Sequence, residues 1–140
     1  MSGILVDTNV LLDIVTNDPR WSEWSRRPLE IWAGRGALCV NAIVYAELSI
    51  GFRRIEELEA VLAVTAVRLI DIPPAALFLA GKAFQAYRRA GGTKSGVLPD
   101  FFLGAHAAVV GMPLLTRDTS RYASYFPKVP LIAPAPSPDR

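Results

Sequence analysis

A chain of 140 residues, 51% hydrophobic and with a mean hydropathy of +0.29, has the size of one compact domain and enough apolar side chains to bury a core. With 15 Lys and Arg against 13 Asp and Glu, its net charge of +2 is too mild to indicate a nucleic-acid partner by itself. A single cysteine, Cys39, excludes an intrachain disulfide, and with a single histidine, His106, leaves too few nitrogen and sulfur donors for a structural zinc site.

The chain opens on "GILVDTNVLLD", in which a short apolar strand, Ile4-Leu5-Val6, stops on Asp7 and a helix follows from Thr8 to about Val15. Asp7 and Asp13 interrupt the apolar run and no basic segment precedes it, which is not the pattern of a signal peptide. Asn17-Asp18-Pro19 breaks the chain. Residues 21–35 read as helix, with Pro28 either kinking it or opening its second half. Leu38-Cys39-Val40 is a second strand, and Asn41 is placed to cap a helix from Ala42 to about Gly51. A helix over Arg54–Ala66 leads to a third strand, Arg68-Leu69-Ile70, and Pro73-Pro74 opens a helix reaching about Ala90. Ala90–Gly96, "AGGTKSG", is a loop. Pro99 begins a helix that ends at Gly111, with Pro in the first turn and Gly past the end. Leu114-Leu115-Thr116 is a fourth strand, a short helix starts near Thr119, and Leu131-Ile132 is a fifth strand. The domain is expected to span residues 1–132, followed by a Pro-rich, disordered tail over 133–140. The longest apolar window, Phe101 to Leu115, contains His106 and Pro113 and is too short to cross a bilayer, so a soluble cytoplasmic protein is expected.

Short, apolar, unalternating strands separated by helices indicate an α/β fold with a mainly parallel sheet covered on both faces. In such sheets sites form at the carboxyl ends of the strands. Asp7 and Asp118 both fall there, and each has a plain structural reading as a helix cap. Asp100 lies in the first turn of a helix that is apolar nearly all round, where a carboxylate also suits the helix dipole. It shares a stripe with Gly104, Ala107, Ala108 and Gly111, small enough to let that helix lie close to the sheet. Glu47 is harder to explain in this way. At about 100° per residue it falls within the face formed by Ile43, Val44, Ile50 and Gly51, and a buried carboxylate needs a partner, an Arg or a cation. Two unit charges about 4 Å apart cost about 4 kcal/mol at an effective dielectric near 20, so four converging carboxylates call for a cation. Oxygen donors without His or Cys select a hard ion, Mg²⁺ or Mn²⁺.

The stretches "VDTNVLLD", "NAIVYAELSIG", "LPDFFLGAHAAV" and "PLLTRDTSRY" occur in the order found in PIN-domain ribonucleases, and the chain from about Ile4 to Ile132 resembles the VapC-type toxins of bacterial toxin–antitoxin pairs. The resemblance implies a three-layer αβα sandwich. It places an acidic quartet on Asp7, Glu47, Asp100 and Asp118, with accessory hydroxyl or amide positions at Thr8, Asn9 and Thr116. It further implies Mg²⁺-dependent cleavage of RNA, with Asp7 and Asp100 as direct ligands. Asp118 and Glu47 would be second ligands or would orient water, and Thr116 would hydrogen-bond a carboxylate or a phosphate oxygen. A cognate antitoxin and a homodimer are the expected partners.

Other features have plainer readings. His106 is turned away from the face of Asp100 and reads as structural, and Asp13, opposite the Leu11, Leu12 and Val15 face, reads as solvated. "GGTKSG" fails as a phosphate-binding loop, because Thr93 and Arg88 stand where that motif needs glycines. Trp21, Trp24 and Trp32 form a helical stripe suited to core packing or to a groove for a partner helix. Arg26, Arg27, Arg117 and Arg121 are candidate phosphate contacts, though surface arginines commonly have no such role. Two alternatives compete with the nuclease. A haloacid-dehalogenase-like phosphatase would need Asp-x-Asp where Asp7-Thr8-Asn9 stands, and a PIN-like module could bind RNA or a partner without cutting.

Overall fold

The computed structural model describes residues 3–94 and 96–135. The elements in chain order are β1 (Gly3–Val6), α1 (Thr8–Val15), α2 (Ser22–Ala33), β2 (Ala37–Val40), α3 (Ala42–Ser49), α4 (Ile55–Val64), β3 (Val67–Leu69), α5 (Pro74–Arg89), α6 (Leu98–Val110), β4 (Leu114–Leu115), α7 (Ser120–Tyr125) and β5 (Leu131–Ile132). The sheet has five strands in the order β3-β2-β1-β4-β5, and every pairing is parallel. Successive side chains of a strand point to opposite faces. All four residues of β1 are buried, so helices cover both faces of the sheet, and the three-layer α/β architecture expected from the sequence is the one formed. Residues 133–135 carry no regular structure; the rest of the Pro-rich tail, 136–140, lies outside the described residues, as does Ser95 of the "AGGTKSG" loop.

Each sequence element is present, with ends displaced by a residue or two. Pro28 neither breaks nor restarts its segment: α2 runs through it and leaves Pro28 buried. Asn41 caps α3, its Oδ1 accepting from Ile43 N at 3.0 Å and Val44 N at 3.1 Å. The buried face of α3 is Val44 and Leu48. Ile50 is 85% exposed and does not share that face, because the helix stops at Ser49 and the chain turns away. Glu47 is consequently half-buried, at the margin of the apolar face instead of its middle.

α6 buries Phe101 and Leu103 to Ala107, but Phe102 is half-buried and Ala108, Val109 and Val110 are exposed, so it is not covered all round. Gly111 ends it in the left-handed region, φ 72°, where a side chain would strain the backbone. The small residue Gly104 serves a contact other than the one expected. It faces the ring of Phe126, just past α7, and a Cβ there would overlap that ring. The close approach thus brings α6 against α7 and its exit, which places Asp100 beside α7.

The strand order changes direction at β1. The chain moves from β1 to β2 and β3 on one side, then returns to place β4 and β5 on the other. The crevice between the carboxyl ends of β1 and β4 is the switch point at which ligands bind in open parallel sheets. Val6 pairs with Leu115 there, and Asp7 N donates to Leu115 O at 2.9 Å, so Asp7 and Thr116 leave the sheet side by side.

Gly104→Ala is expected to destabilise the protein by about 1–3 kcal/mol, because the Phe126 ring must move to admit the methyl group. Thermal unfolding would show a midpoint several degrees lower, and an unchanged midpoint would mean that α6 and Phe126 are not in this contact.

Candidate functional site

Asp7 begins the site as the residue that ends β1 and caps α1. Its backbone is extended (φ −74°, ψ 153°), and its Oδ1 accepts from Thr8 N at 2.7 Å. The other oxygen, Oδ2, accepts from the Thr116 hydroxyl at 2.8 Å and the Tyr122 hydroxyl at 3.0 Å. Cap and site residue are therefore one side chain, with its two oxygens divided between the roles. Asp7 is only 7% exposed. Burial raises its pKa above the ordinary carboxylate value; the Thr116, Tyr122 and Thr8 hydrogen bonds oppose this rise, and the charge of Glu47 adds to it.

Thr116 is the junction between the loops that follow β1 and β4. Its single hydroxyl proton goes to Asp7, while its oxygen accepts from Asp118 N at 3.1 Å and stands 3.5 Å from Asn9 Nδ2. Asn9 Oδ1 accepts from Arg117 N at 3.3 Å. Thr8 donates its hydroxyl to Glu47 Oε1 at 2.7 Å, which ties α3 to the first turn of α1. All three accessory positions named from the sequence thus hydrogen-bond within the site.

Asp100 sits in the first turn of α6 with its side chain 36% exposed. The Tyr122 hydroxyl lies 3.4 Å from its Oδ1, and Arg121 Nε stands 3.7 Å from its Oδ2. Desolvation pushes the Asp100 carboxyl up to about 6, with further contributions from the charges of Asp7, Asp118 and Glu47 against the lowering effect of Arg121. The charges of Asp7, Asp118 and Glu47 thus all reach Asp100, and that of Glu47 also reaches Asp7. Asp118 is the least enclosed: it is exposed, and its Oδ1 accepts from the backbone and hydroxyl of Ser120 in the turn before α7, whose N-cap is Thr119 and not Asp118 as the sequence suggested. Among the described residues no three acidic, imidazole or thiolate side chains stand close enough to enclose an ion. The donor set is carboxylate and hydroxyl oxygen throughout, which fits a hard divalent cation, and the mutual repulsion at Asp100 is what such a cation would relieve.

Tyr122 is the residue that reading the sequence overlooked. It is 2% exposed, and its one proton lies between two carboxylates. Burial and the charges of Asp7 and Asp100 hold its hydroxyl far above the ordinary phenol value, so it remains a donor. No local signal marks it, because its partners Asp7 and Asp100 lie 115 and 22 residues away along the chain. Asp13 requires a correction. It is 2% exposed, not solvated: its Oδ2 accepts from Arg117 Nε at 2.7 Å and from the Ser25 hydroxyl at 2.7 Å. Its partner lies far along the chain, so helix periodicity carried no trace of the pair. Arg117 is accordingly directed at Asp13, and Arg121 toward Asp100, whereas Arg26 and Arg27 are exposed on α2. His106 is fully buried and held neutral by desolvation, with Nδ1 3.2 Å from Asn41 Nδ2. Trp24 and Trp32 pack against the core, and Trp21 meets Trp24 edge-on.

The sequence model of the PIN domain matches residues 4–126. No curated protein sequence is similar enough to count as a relative. Among solved structures, the fold is similar to VapBC2 from Rickettsia felis bound to a DNA fragment from its promoter, with 19% identity over 95% of this chain and 99% of that one and a TM-score of 0.73. It is also similar to VapBC-1 from nontypeable Haemophilus influenzae, with 17% identity over 94% and 97% of the two chains and a TM-score of 0.70. A toxin–antitoxin complex from Klebsiella pneumoniae is 24% identical over 92% and 95%, with a TM-score of 0.65. At these identities the likeness is one of fold. No helix among the described residues is long and apolar enough to cross a membrane.

Two outcomes test the electrostatics. The native Asp100 carboxyl binds its proton more tightly than the unfolded one, whose value is near 3.8, so its contribution to stability falls as pH rises from about 4 through about 6 and the cost is complete above that. Asp100→Asn is therefore expected to raise the thermal midpoint of metal-free protein by a few degrees at pH 7.5 and to leave it unchanged near pH 4; a lower midpoint at pH 7.5 would refute the repulsion. Tyr122→Phe keeps the ring and removes the donor, with an expected loss of about 1–3 kcal/mol in urea denaturation.

Proposed function

Because the chain belongs to the PIN-domain family, we propose that it is a divalent-metal-dependent endoribonuclease acting as the toxin of a toxin–antitoxin pair. The observation that carries this reading is the Asp7–Tyr122–Asp100 arrangement at the β1/β4 switch point, where two carboxylates face one buried hydroxyl and Asp100 is pushed up to about 6. Asp7 and Asp100 would hold Mg²⁺, or Mn²⁺ in its place, and Asp118 and Glu47 would complete the site or orient water. When bound, the ion supplies a water activated at neutral pH and neutralises charge on the phosphodiester.

The chain's own residues prepare the site. Thr116 and Tyr122 fix the direction of Asp7 Oδ2, and Thr8 holds Glu47 toward the first turn of α1. Arg121 keeps a positive charge at Asp100, placed to meet a phosphate oxygen once an ion has neutralised the carboxylates. That the similar solved structures are toxin–antitoxin complexes supports a cognate antitoxin as partner, one that would cover the carboxylate edge; a homodimer is what the resemblance to VapC-type toxins implies.

The deciding experiment is digestion of total RNA with mapping of the new ends. Wild type with Mg²⁺ should cut at defined positions, while Asp7→Asn and Asp100→Asn should be inactive with native circular dichroism. Full activity in either variant would sink the mechanism. Millimolar Mg²⁺ should also raise the wild-type thermal midpoint by mass action and leave Asp7→Asn unmoved. The alternative reading is a PIN module that binds RNA without cutting. Its signature would be RNA binding with a steep salt dependence and no new ends.

A further inference from the structure

Among the described residues, Arg117 and Asp13 form the one ion pair in which a nearly inaccessible carboxylate meets a fork of two donors. Arg117 Nε reaches Asp13 Oδ2 at 2.7 Å and Nη2 reaches Oδ1 at 3.0 Å, while Asp13 is 2% exposed. The carboxylate is further fixed by the Ser25 hydroxyl at 2.7 Å, and Ser25 is itself fully buried. The guanidinium carbon lies over the Trp21 ring, 5.0 Å from its centre. The Trp21 backbone is held in turn, its N–H donating to Asp18 Oδ1 at 2.9 Å. Three segments therefore meet on one side chain: α1 through Asp13, the start of α2 through Ser25 and Trp21, and the loop after β4 through Arg117.

That loop carries Thr116 and Asp118 on either side of Arg117. Arg117 N also donates to Asn9 Oδ1, so both its backbone and its side chain are tied to α1. We propose that the Asp13–Arg117 pair, backed by Ser25 and Trp21, is a positioning device that sets the post-β4 loop so that the Thr116 hydroxyl meets Asp7 and Asp118 faces Asp100. Neither residue touches the reacting atoms. The guanidinium is spent on Asp13, which removes Arg117 from the residues available to grip a phosphate. The proposal rests on the ribonuclease reading for its kinetic consequence and on the structure alone for the loop's placement.

The test uses two variants of the full chain. Arg117→Lys keeps the charge and loses the fork. The double variant Asp13→Asn, Arg117→Gln removes both charges together, so no buried carboxylate is left alone to unfold the protein. Each should lower kcat on RNA by about a hundredfold with KM within about twofold, as expected when alignment and not binding is lost. Amide exchange at residues 116–120 should accelerate about tenfold or more in both, through easier local opening. Wild-type kcat in Arg117→Lys, or a loss confined to KM with a shallower salt dependence, would overturn the proposal and make Arg117 a phosphate contact. If wild type itself cuts no RNA, the ribonuclease reading fails, and unchanged exchange at 116–120 would then overturn the positioning role by itself.

Discussion

The structure depends on how Asp7 is held. A carboxylate withdrawn from water is expensive unless donors replace the lost solvent. Three do so, each from a different part of the chain: Thr8 N at the start of α1, the Thr116 hydroxyl beyond β4 and the Tyr122 hydroxyl on α7. They converge only because β1 and β4 are parallel and in register at Val6 and Leu115. Sheet pairing thus places Thr116 beside Asp7, α7 follows with Tyr122, and α6 is drawn against α7's exit at Gly104, which brings Asp100 to the same hydroxyl.

This arrangement accumulates negative charge at one edge and only partly offsets it. Arg121 is the cation beside Asp100, at 3.7 Å and without a hydrogen bond from its Nε. A site optimised for the metal-free protein would carry fewer carboxylates or more arginines. On the proposed reading, the retained repulsion is what a site prepared for a cation and a polyanionic substrate would hold, at some cost to the stability of the empty protein. Arg117 shows the contrasting solution. Its charge is committed to a buried carboxylate, so it serves geometry and adds little positive potential to the edge.

Much of the fold was legible along the chain. The strand at Ile4-Leu5-Val6 was recognisable because a strand buried on both faces has no polar alternation, and Asn41 was recognisable as a cap because its chemistry is local. Asp7, Asp100 and Thr116 were legible through their places at the ends of strands and the start of a helix. Glu47 was placed near the site for a partly mistaken reason: the face that included Ile50 and Gly51 assumed a longer helix than the one ending at Ser49. Tyr122 was hidden because an aromatic residue at helical spacing normally signals packing, and nothing local shows that its hydroxyl points at two carboxylates.

Local order and chemical type were therefore determined by the sequence itself: alternating elements, parallel strands, oxygen donors at strand ends and the order of motifs that marks a PIN domain. These depend on neighbours a few residues apart, where periodicity and capping act. The tertiary structure decided which charges are satisfied and by whom. Asp13, a surface residue of α1 by its periodicity, is buried because Arg117 arrives from a loop 104 residues away, and Asp118 accepts from Ser120 at the entry of α7 while its charge is felt at Asp100. Such pairings are set by the strand order and the depth of burial, and neither quantity exists until the sheet has closed on its helices.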